Sequence, residues 1–114
     1  LMHCVGPEKV WPKSIECQIQ EHDTGDFWMV GGTSIEIDGK AETRYRKKTQ
    51  DAEKPTGEWN TVEVVCDGDK ITHIVNGVKV NEGSKASLTK GKITLQSEGA
   101  EIFFRRVSLQ PLAK

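Results

Sequence analysis

The sequence predicts an all-β sandwich or jelly roll of antiparallel strands, and three observations support this fold class. Turn-forming pairs recur along the chain, for example Gly6-Pro7, Asp38-Gly39 and Asn76-Gly77. The runs between the turns have strand length and are rich in apolar and β-branched residues. No window repeats apolar residues with the period of about 3.6 that marks an amphipathic helix. Because a single sheet could not cover its own apolar face, two packed sheets are expected.

Eight strands are predicted, at residues 14–20, 27–30, 33–37, 60–66, 71–75, 78–81, 92–97 and 101–109. In the first strand, polar side chains alternate strictly with apolar ones. Successive side chains of a strand point to opposite faces, so one face of this strand is entirely polar. The polar set is Ser14, Glu16, Gln18 and Gln20. Such a face is either solvated surface or the floor of a binding site.

Turn chemistry connects the later strands. Asn76-Gly77 has the residues that a type I′ turn needs and predicts a hairpin between strands 71–75 and 78–81. Asp67-Gly68-Asp69 predicts another hairpin, which adds strand 60–66 to give three consecutive antiparallel strands. The charged segment 44–55 is predicted to be a strand end that runs into an exposed loop.

Length and charge restrict the function classes. A chain of 114 residues has room for one domain, taken here as residues 1–114. Its 16 basic and 17 acidic residues are interspersed, which leaves no basic stripe to neutralise the phosphates of nucleic acid. No stretch approaches the roughly 20 apolar residues of a membrane span. We therefore expect neither a nucleic-acid partner nor a membrane span.

The cysteines and the start of the chain give further expectations. Three cysteines form no CxxC pair and lie in apolar, strand-like runs, so a structural zinc site is not expected and at least one thiol should be free. The chain starts at Leu1, in what resembles a strand already under way, and no targeting signal can be recognised. Residues upstream are expected to be missing.

Four stretches, in family order, resemble the bacterial 3-keto-disaccharide hydrolase family. They are VGPEKVWPKSIECQIQ, GDFWMVGG, GEWNTVEVVCDGDKITHIVNGVKVNE and KITLQSEGAEIFFRRVSLQPL. The resemblance implies a concanavalin A-like jelly roll and a periplasmic or extracellular location. Family members usually carry additional N-terminal strands before the position of Leu1, so the domain is expected to be partial. A second copy, in a homodimer, is one way to cap the uncovered edge.

The resemblance also implies a substrate class and a reaction. The substrate would be a glycoside oxidised to a ketone at C3, which acidifies the proton at C2. A base removes that proton, the C1 substituent is expelled, and water adds back for net hydrolysis. An electrophile at the C3 oxygen is needed as well, and a divalent metal ion is one group that supplies it. The chain is thus expected to be a glycoside hydrolase or lyase with a carbohydrate partner.

Glu16 is the leading candidate for the base, because it lies in the middle of the polar row. His3 is the second candidate, as a base or as a metal ligand, although a lone histidine is by default structural. Glu98 is a third candidate for binding a metal, but many relatives have a histidine at its position and an asparagine at that of Arg106. These two departures put a histidine-rich metal site in doubt.

Further residues are expected to contact the sugar. Phe27 and Trp28 are neighbours in one strand, so one ring should point outward and could stack on a sugar. Arg105 matches an arginine of the family and would orient a carboxylate or form a structural ion pair. The full set of expected substrate contacts is Gln18, Trp28, Gln96, Glu98 and Arg105.

Several residues are expected to be structural, and two other functions stay open. His73 shares the parity of Ile71 and Val75, which favours a half-buried packing role. His22 lies in a turn cluster without the spacing of a calcium loop. The main alternative function is a non-catalytic carbohydrate-binding module on the same fold, since fold does not determine function. A structural interaction domain is the third.

Overall fold

The computed structural model describes residues 1–6, 11–97 and 101–112, and its secondary structure within these ranges consists of strands. The strands are β1 (Met2–Val5), β2 (Lys13–Cys17), β3 (Phe27–Val30), β4 (Ile35–Ile37), β5 (Lys40–Glu42), β6 (Tyr45–Arg46), β7 (Val62–Asp67), β8 (Lys70–Val75) and β9 (Val78–Gly83). The predicted all-β class is confirmed. In the described ranges, no helix has the length and apolar character needed to cross a membrane.

The strands form three antiparallel sheets. The first has the order β1-β2-β3-β6 and the second the order β7-β8-β9. The small β4-β5 pair is joined to β9 by a bridge between Glu36 and Ser84. The hairpin predicted at Asn76-Gly77 is present: Val75 pairs with Val78, and both turn residues have positive φ, at 50° and 81°. A type I′ turn requires this conformation at its two central residues.

The core lies between the sheets. Ile15, Phe27 and Met29 of the first sheet and Ile71 of the second belong to one buried cluster, against which Val64 of β7 also packs. Alternation explains the arrangement, since every second residue of β2 and β3 points to this layer. The result is a two-layer sandwich whose first sheet has Glu16 and Trp28 on its outer face.

Two of the predicted strands are wrong for the described residues. Segment 92–97 contributes one isolated bridge, between Cys4 and Lys92, and a backbone hydrogen bond from Thr94 to Leu1. Segment 101–109, all of which is described, has no strand pairing. Both segments have strand-like composition, but a strand exists only where a partner supplies the other half of the hydrogen-bond ladder. The predicted free thiol is confirmed, because all three cysteines are free.

Strand boundaries also differ from the prediction. β2 ends at Cys17 instead of residue 20, because the chain turns there: the N–H of Asp23 donates to the carbonyl of Gln20. Ile19, predicted to face the core, is therefore exposed. The segment 44–55 begins with strand β6 and continues without further strand, as predicted, whereas β5 was not predicted.

Candidate functional site

Three side chains form a row across the outer face of the first sheet. Glu16 of β2 pairs directly with Trp28 of β3, and Trp28 pairs with Tyr45 of β6. Residues opposite each other in register point to the same face of a sheet. Glu16 and Trp28 are half-buried and Tyr45 is exposed. We call this set the Glu16 row.

The aromatic members of the Glu16 row are in contact. The ring centroids of Trp28 and Tyr45 are 4.6 Å apart, and their planes are tilted by 46°. Phe27, the neighbour of Trp28, is fully buried on the core side. The expectation that one of Phe27 and Trp28 points outward is therefore confirmed, and Trp28 is that residue.

The rest of the polar strand face is not uniformly open. Ser14 is fully buried, and its hydroxyl donates a hydrogen bond to the carbonyl of Pro12 at 2.8 Å. Gln18 lies one position past the end of β2, where its N–H donates to the carbonyl of Asp26 at 3.0 Å. Its side-chain amide donates to Gln20. Of the four polar residues, Glu16 is thus the one that belongs to the Glu16 row, and Gln18 follows it just past the end of β2.

Tyr45 is held in place by a buried ion pair that composition and spacing did not reveal. Its hydroxyl donates a hydrogen bond to Oδ2 of Asp26, which is 1% exposed. The backbone N–H of Lys48 donates to Oδ1 of Asp26 at 2.9 Å, and Nζ of Lys48 lies 3.8 Å from the same oxygen. Nζ also donates to the carbonyl of His22 at 2.6 Å. Asp26 therefore joins Tyr45 to a buried ammonium group.

The sequence carried one signal for this arrangement. Asp26 has the same parity as Trp28, so in an extended strand the two side chains share a face. It was interpreted as a turn residue because Gly25 precedes it. Tyr45 lies near the start of segment 44–55, which was predicted to be a strand end, but the charged residues around it gave no sign that this strand, β6, joins β3.

His3 lies in β1, the strand that pairs with β2. The register shifts between Met2 and Val5, and His3 itself has a φ of 53°, so alternation does not determine which face its ring occupies. Burial lowers the pKa of His3, so the imidazole is neutral near pH 7. Nε2 has no hydrogen-bond partner within the described residues.

The remaining candidates lie in the C-terminal third of the chain. Gln96 is half-buried in a segment without regular structure. The guanidinium of Arg105 lies over the ring of Trp59, 4.3 Å from its centroid, in a cation–π contact. Glu98 is outside the described residues. The structure therefore brings Glu16 and Trp28 together in register, and it places Arg105 on a ring that precedes β7.

A divalent metal was expected to bind among Glu16, His3 and Glu98. Across residues 1–6, 11–97 and 101–112, no group of three or more His, Cys, Asp or Glu side chains is arranged to hold a metal ion. Structural and catalytic metal sites in proteins use at least three such ligands in most cases. Because Glu98, one of the three expected ligands, lies outside the described residues, the metal stays a prediction, and the reaction is derived from the side chains of the chain alone.

Comparison with protein-family profiles gives a match over nearly the whole chain. The profile of a family described as the 3-keto-alpha-glucoside-1,2-lyase-like domain matches residues 1–110. Neither the comparison with curated proteins nor that with solved structures gives a match. The profile covers nearly the whole chain, and its jelly-roll-like fold agrees with the antiparallel sandwich described above. The chain belongs to the 3-keto-alpha-glucoside-1,2-lyase-like domain family.

Proposed function

We propose that this domain cleaves 3-keto-glucosides by elimination, with Glu16 as the base that removes the proton at C2. Two observations support the proposal. The family provides the substrate class. The Glu16 row provides a carboxylate opposite half-buried Trp28, whose ring contacts exposed Tyr45. A base beside an aromatic face is the combination that a sugar ring with a reactive C–H requires.

The reaction needs a base and a leaving group on adjacent carbons. The ketone at C3 stabilises the carbanion formed when the Glu16 carboxylate accepts the C2 proton. The electron pair then forms the C1–C2 double bond as the C1–O bond breaks, and the released alkoxide takes up a proton. Addition of water across the double bond completes a net hydrolysis. Glu16 carries the first step because a carboxylate can both accept the proton and return it.

The other members of the site would position the sugar. Trp28 and Tyr45 offer ring faces for the apolar C–H surface of the pyranose. The side-chain amide of Gln18 can donate to one hydroxyl and accept from another. His3, neutral near pH 7, is the proposed alternative base, while Gln96 and Arg105 remain proposed contacts for the more distant part of the substrate.

The test is turnover of methyl 3-keto-α-glucoside by Glu16→Gln. We expect methanol release to fall by a factor of about 10² to 10⁴, the usual contribution of a general base, because the amide cannot accept the C2 proton. Binding of the unoxidised methyl α-glucoside should change by less than about threefold, since the amide keeps the size of the side chain and one acceptor oxygen. Glu63→Gln, an exposed glutamate of β7, is the matched control and should keep full turnover.

A non-catalytic carbohydrate-binding module is the second candidate, and the contact between half-buried Trp28 and exposed Tyr45 is the observation that favours it. A binding module needs the aromatic pair but no base. It predicts that folded wild-type protein binds methyl α-glucoside and releases no methanol from the keto-glucoside. Turnover that survives in Glu16→Gln would instead show that another group is the base, and His3→Gln would then be the next variant.

A further inference from the structure

We propose that the hydroxyl oxygen of Tyr45 accepts a hydrogen bond from a hydroxyl group of the bound sugar, and that Asp26 is the positioning residue that imposes this direction. The inference rests on the proposed function only in taking the ligand to be a sugar. It assigns roles to residues outside the Glu16 chemistry and makes a statement about specificity. Tyr45 would select a ligand group that carries a proton, so it would not bind the ketone oxygen.

The first argument is that the proton of Tyr45 is already used. The hydroxyl donates to Oδ2 of Asp26. An ionised carboxylate can only accept, so the proton of this hydrogen bond must come from the tyrosine. Nζ of Lys48 lies 3.8 Å from Oδ1 and forms a buried ion pair with this carboxylate. The direction of the hydrogen bond is therefore determined by charge.

The second argument is that the oxygen of Tyr45 remains available. A tyrosine hydroxyl that donates its one proton still has lone pairs to accept with. The side chain of Tyr45 is 38% exposed, whereas Asp26 and Lys48 beneath it are buried. A hydroxyl that donates to a carboxylate also becomes a better acceptor, because hydrogen bonds in a chain polarise one another. The hydrogen bond to Asp26 raises the pKa of Tyr45 to about 12, so the phenol keeps its proton at neutral pH.

The third argument is position. The ring of Tyr45 packs against Trp28, and Trp28 lies opposite Glu16 in register. A pyranose stacked on Trp28 would thus have its hydroxyls within reach of Tyr45 on one side and its C–H groups toward Glu16 on the other. The hydroxyl that Tyr45 binds must differ from the oxidised C3 position, because a ketone has no proton to donate. This orients the sugar in the site.

The experiment measures coupling between one protein hydroxyl and one ligand hydroxyl. Wild type and Tyr45→Phe are titrated by calorimetry with methyl α-glucoside and with its 2-deoxy, 4-deoxy and 6-deoxy derivatives. One derivative should bind wild type about 3- to 10-fold more weakly than the parent sugar, the effect of one hydrogen bond. Tyr45→Phe should bind the parent sugar more weakly than wild type does, by a similar factor. In this variant, the parent sugar and that derivative should bind with the same affinity.

Thr72→Val is the matched control. Thr72 also donates its hydroxyl to a carboxylate, that of Glu82, but it lies in β8 of the other sheet. This variant should bind all four sugars as wild type does. The inference is overturned if Tyr45→Phe weakens the binding of every derivative by the same factor as it weakens that of the parent sugar. Tyr45 would then contact none of the hydroxyls tested.

The role of Asp26 is tested with the same titrations on Asp26→Asn. The amide can donate to the Tyr45 oxygen and so occupy the acceptor. In this variant, the derivative that wild type binds more weakly should bind as tightly as the parent sugar, although Tyr45 is intact. A remaining difference in affinity between the two sugars would overturn the positioning role of Asp26. If this variant does not fold, Asp26→Asn/Lys48→Met replaces it, since removing both members of a buried charge pair is tolerated better than removing one.

The outcomes separate the two proposals. Coupling measured by binding in a wild-type protein that releases no methanol from the keto-glucoside would overturn the enzyme proposal and leave the Tyr45 inference standing. If the wild-type protein releases methanol but the effects of Tyr45→Phe and of each missing hydroxyl on affinity are additive, the Tyr45 inference is overturned and the enzyme proposal stands. A folded wild-type protein that binds none of the glucosides would overturn both.

Discussion

The imidazole of His73 is fully buried, and its burial has a consequence for stability. The ring stacks on Phe27, with centroids 3.8 Å apart, and Nδ1 lies 2.8 Å from the carbonyl oxygen of Gly25. A carbonyl only accepts, so Nδ1 carries the proton and Nε2 carries the lone pair, which has no partner within the described residues. Desolvation lowers the pKa of His73 to about 4. The predicted packing role is confirmed, with deeper burial than expected.

The first residue-scale prediction is a loss of stability in mild acid. In the unfolded chain His73 has an ordinary pKa near 6.5, so below that pH the unfolded state binds a proton that the folded state does not. The free energy of unfolding should therefore decrease as the pH falls from about 6.5 toward 4, by about 2 kcal/mol over the first 1.5 pH units. Urea unfolding at pH 7 and at about pH 5 measures this difference.

Two variants identify the group responsible. His73→Leu removes the titrating ring and should lose most of the pH dependence, leaving the smaller contribution of His3, whose pKa burial also lowers. His22→Asn, in the exposed turn at a φ of 72° that asparagine tolerates, should keep the wild-type dependence. An unchanged pH dependence in His73→Leu would show that His73 is not the group that titrates.

Sequence patterns predicted those side chains whose position follows from strand parity. Alternation placed Glu16 on the polar face of its strand and predicted that either Phe27 or Trp28 points outward, without deciding between the two. The place of Tyr45 and Asp26 in the site was not predicted, because it depends on a cross-strand contact and on a buried lysine. Neither feature produces a periodic pattern in the sequence. Long-range contacts of this kind are set by topology, which one sequence does not specify.

At the scale of elements, the turn before β3 is attached to the second sheet through Gly25. The carbonyl of Gly25 accepts hydrogen bonds from His73 of β8 and, at 3.3 Å, from Asn81 of β9. Gly25 has a φ of +105°, and a Cβ at this position would lie 2.4 Å from Cγ2 of Val80. The two sheets meet at a backbone that has no room for a side chain.

We predict that Gly25→Ala destabilises the protein more than Gly32→Ala. Gly32 also has a positive φ, of +86°, but a Cβ there would meet nothing within 4 Å. In both variants the left-handed backbone lowers the free energy of unfolding by roughly 1 to 2 kcal/mol. In Gly25→Ala, overpacking against Val80 lowers it by about 1 to 3 kcal/mol more. Urea unfolding gives both free energies. Equal losses would mean that the turn does not pack against Val80.

The strand ends were predicted less well than the strands themselves, for a physical reason visible in β2. Residues 18–20 continue the alternating pattern, but the chain turns at 20–25, where the N–H of Asp23 donates to the carbonyl of Gln20, three residues earlier, instead of to a neighbouring strand. The hairpin at Asn76-Gly77 was predictable because its turn is local. Pairing between distant segments was not, as 92–97 and 101–109 show.

Across the whole molecule, stability is concentrated in the part of the chain that precedes residue 87. The buried apolar residues run from Met2 to Ala86, whereas the described residues of the C-terminal segment expose large apolar side chains. Phe103 is 72% exposed and Leu109 is 80% exposed. An apolar side chain contributes to folding in proportion to the area it removes from water, so these residues should contribute little.

The last prediction compares two phenylalanines. Phe103→Ala should change the free energy of unfolding by less than about 0.5 kcal/mol, as an exposed substitution does, whereas Phe27→Ala should cost about 3 to 5 kcal/mol because it empties a fully buried position. Urea unfolding of both variants beside wild type measures the contrast. A decrease of more than about 1 kcal/mol in the free energy of unfolding of Phe103→Ala would contradict this, because an apolar side chain contributes that much only when it is buried. Segment 101–109 would then be packed in solution as the strand that its sequence predicts.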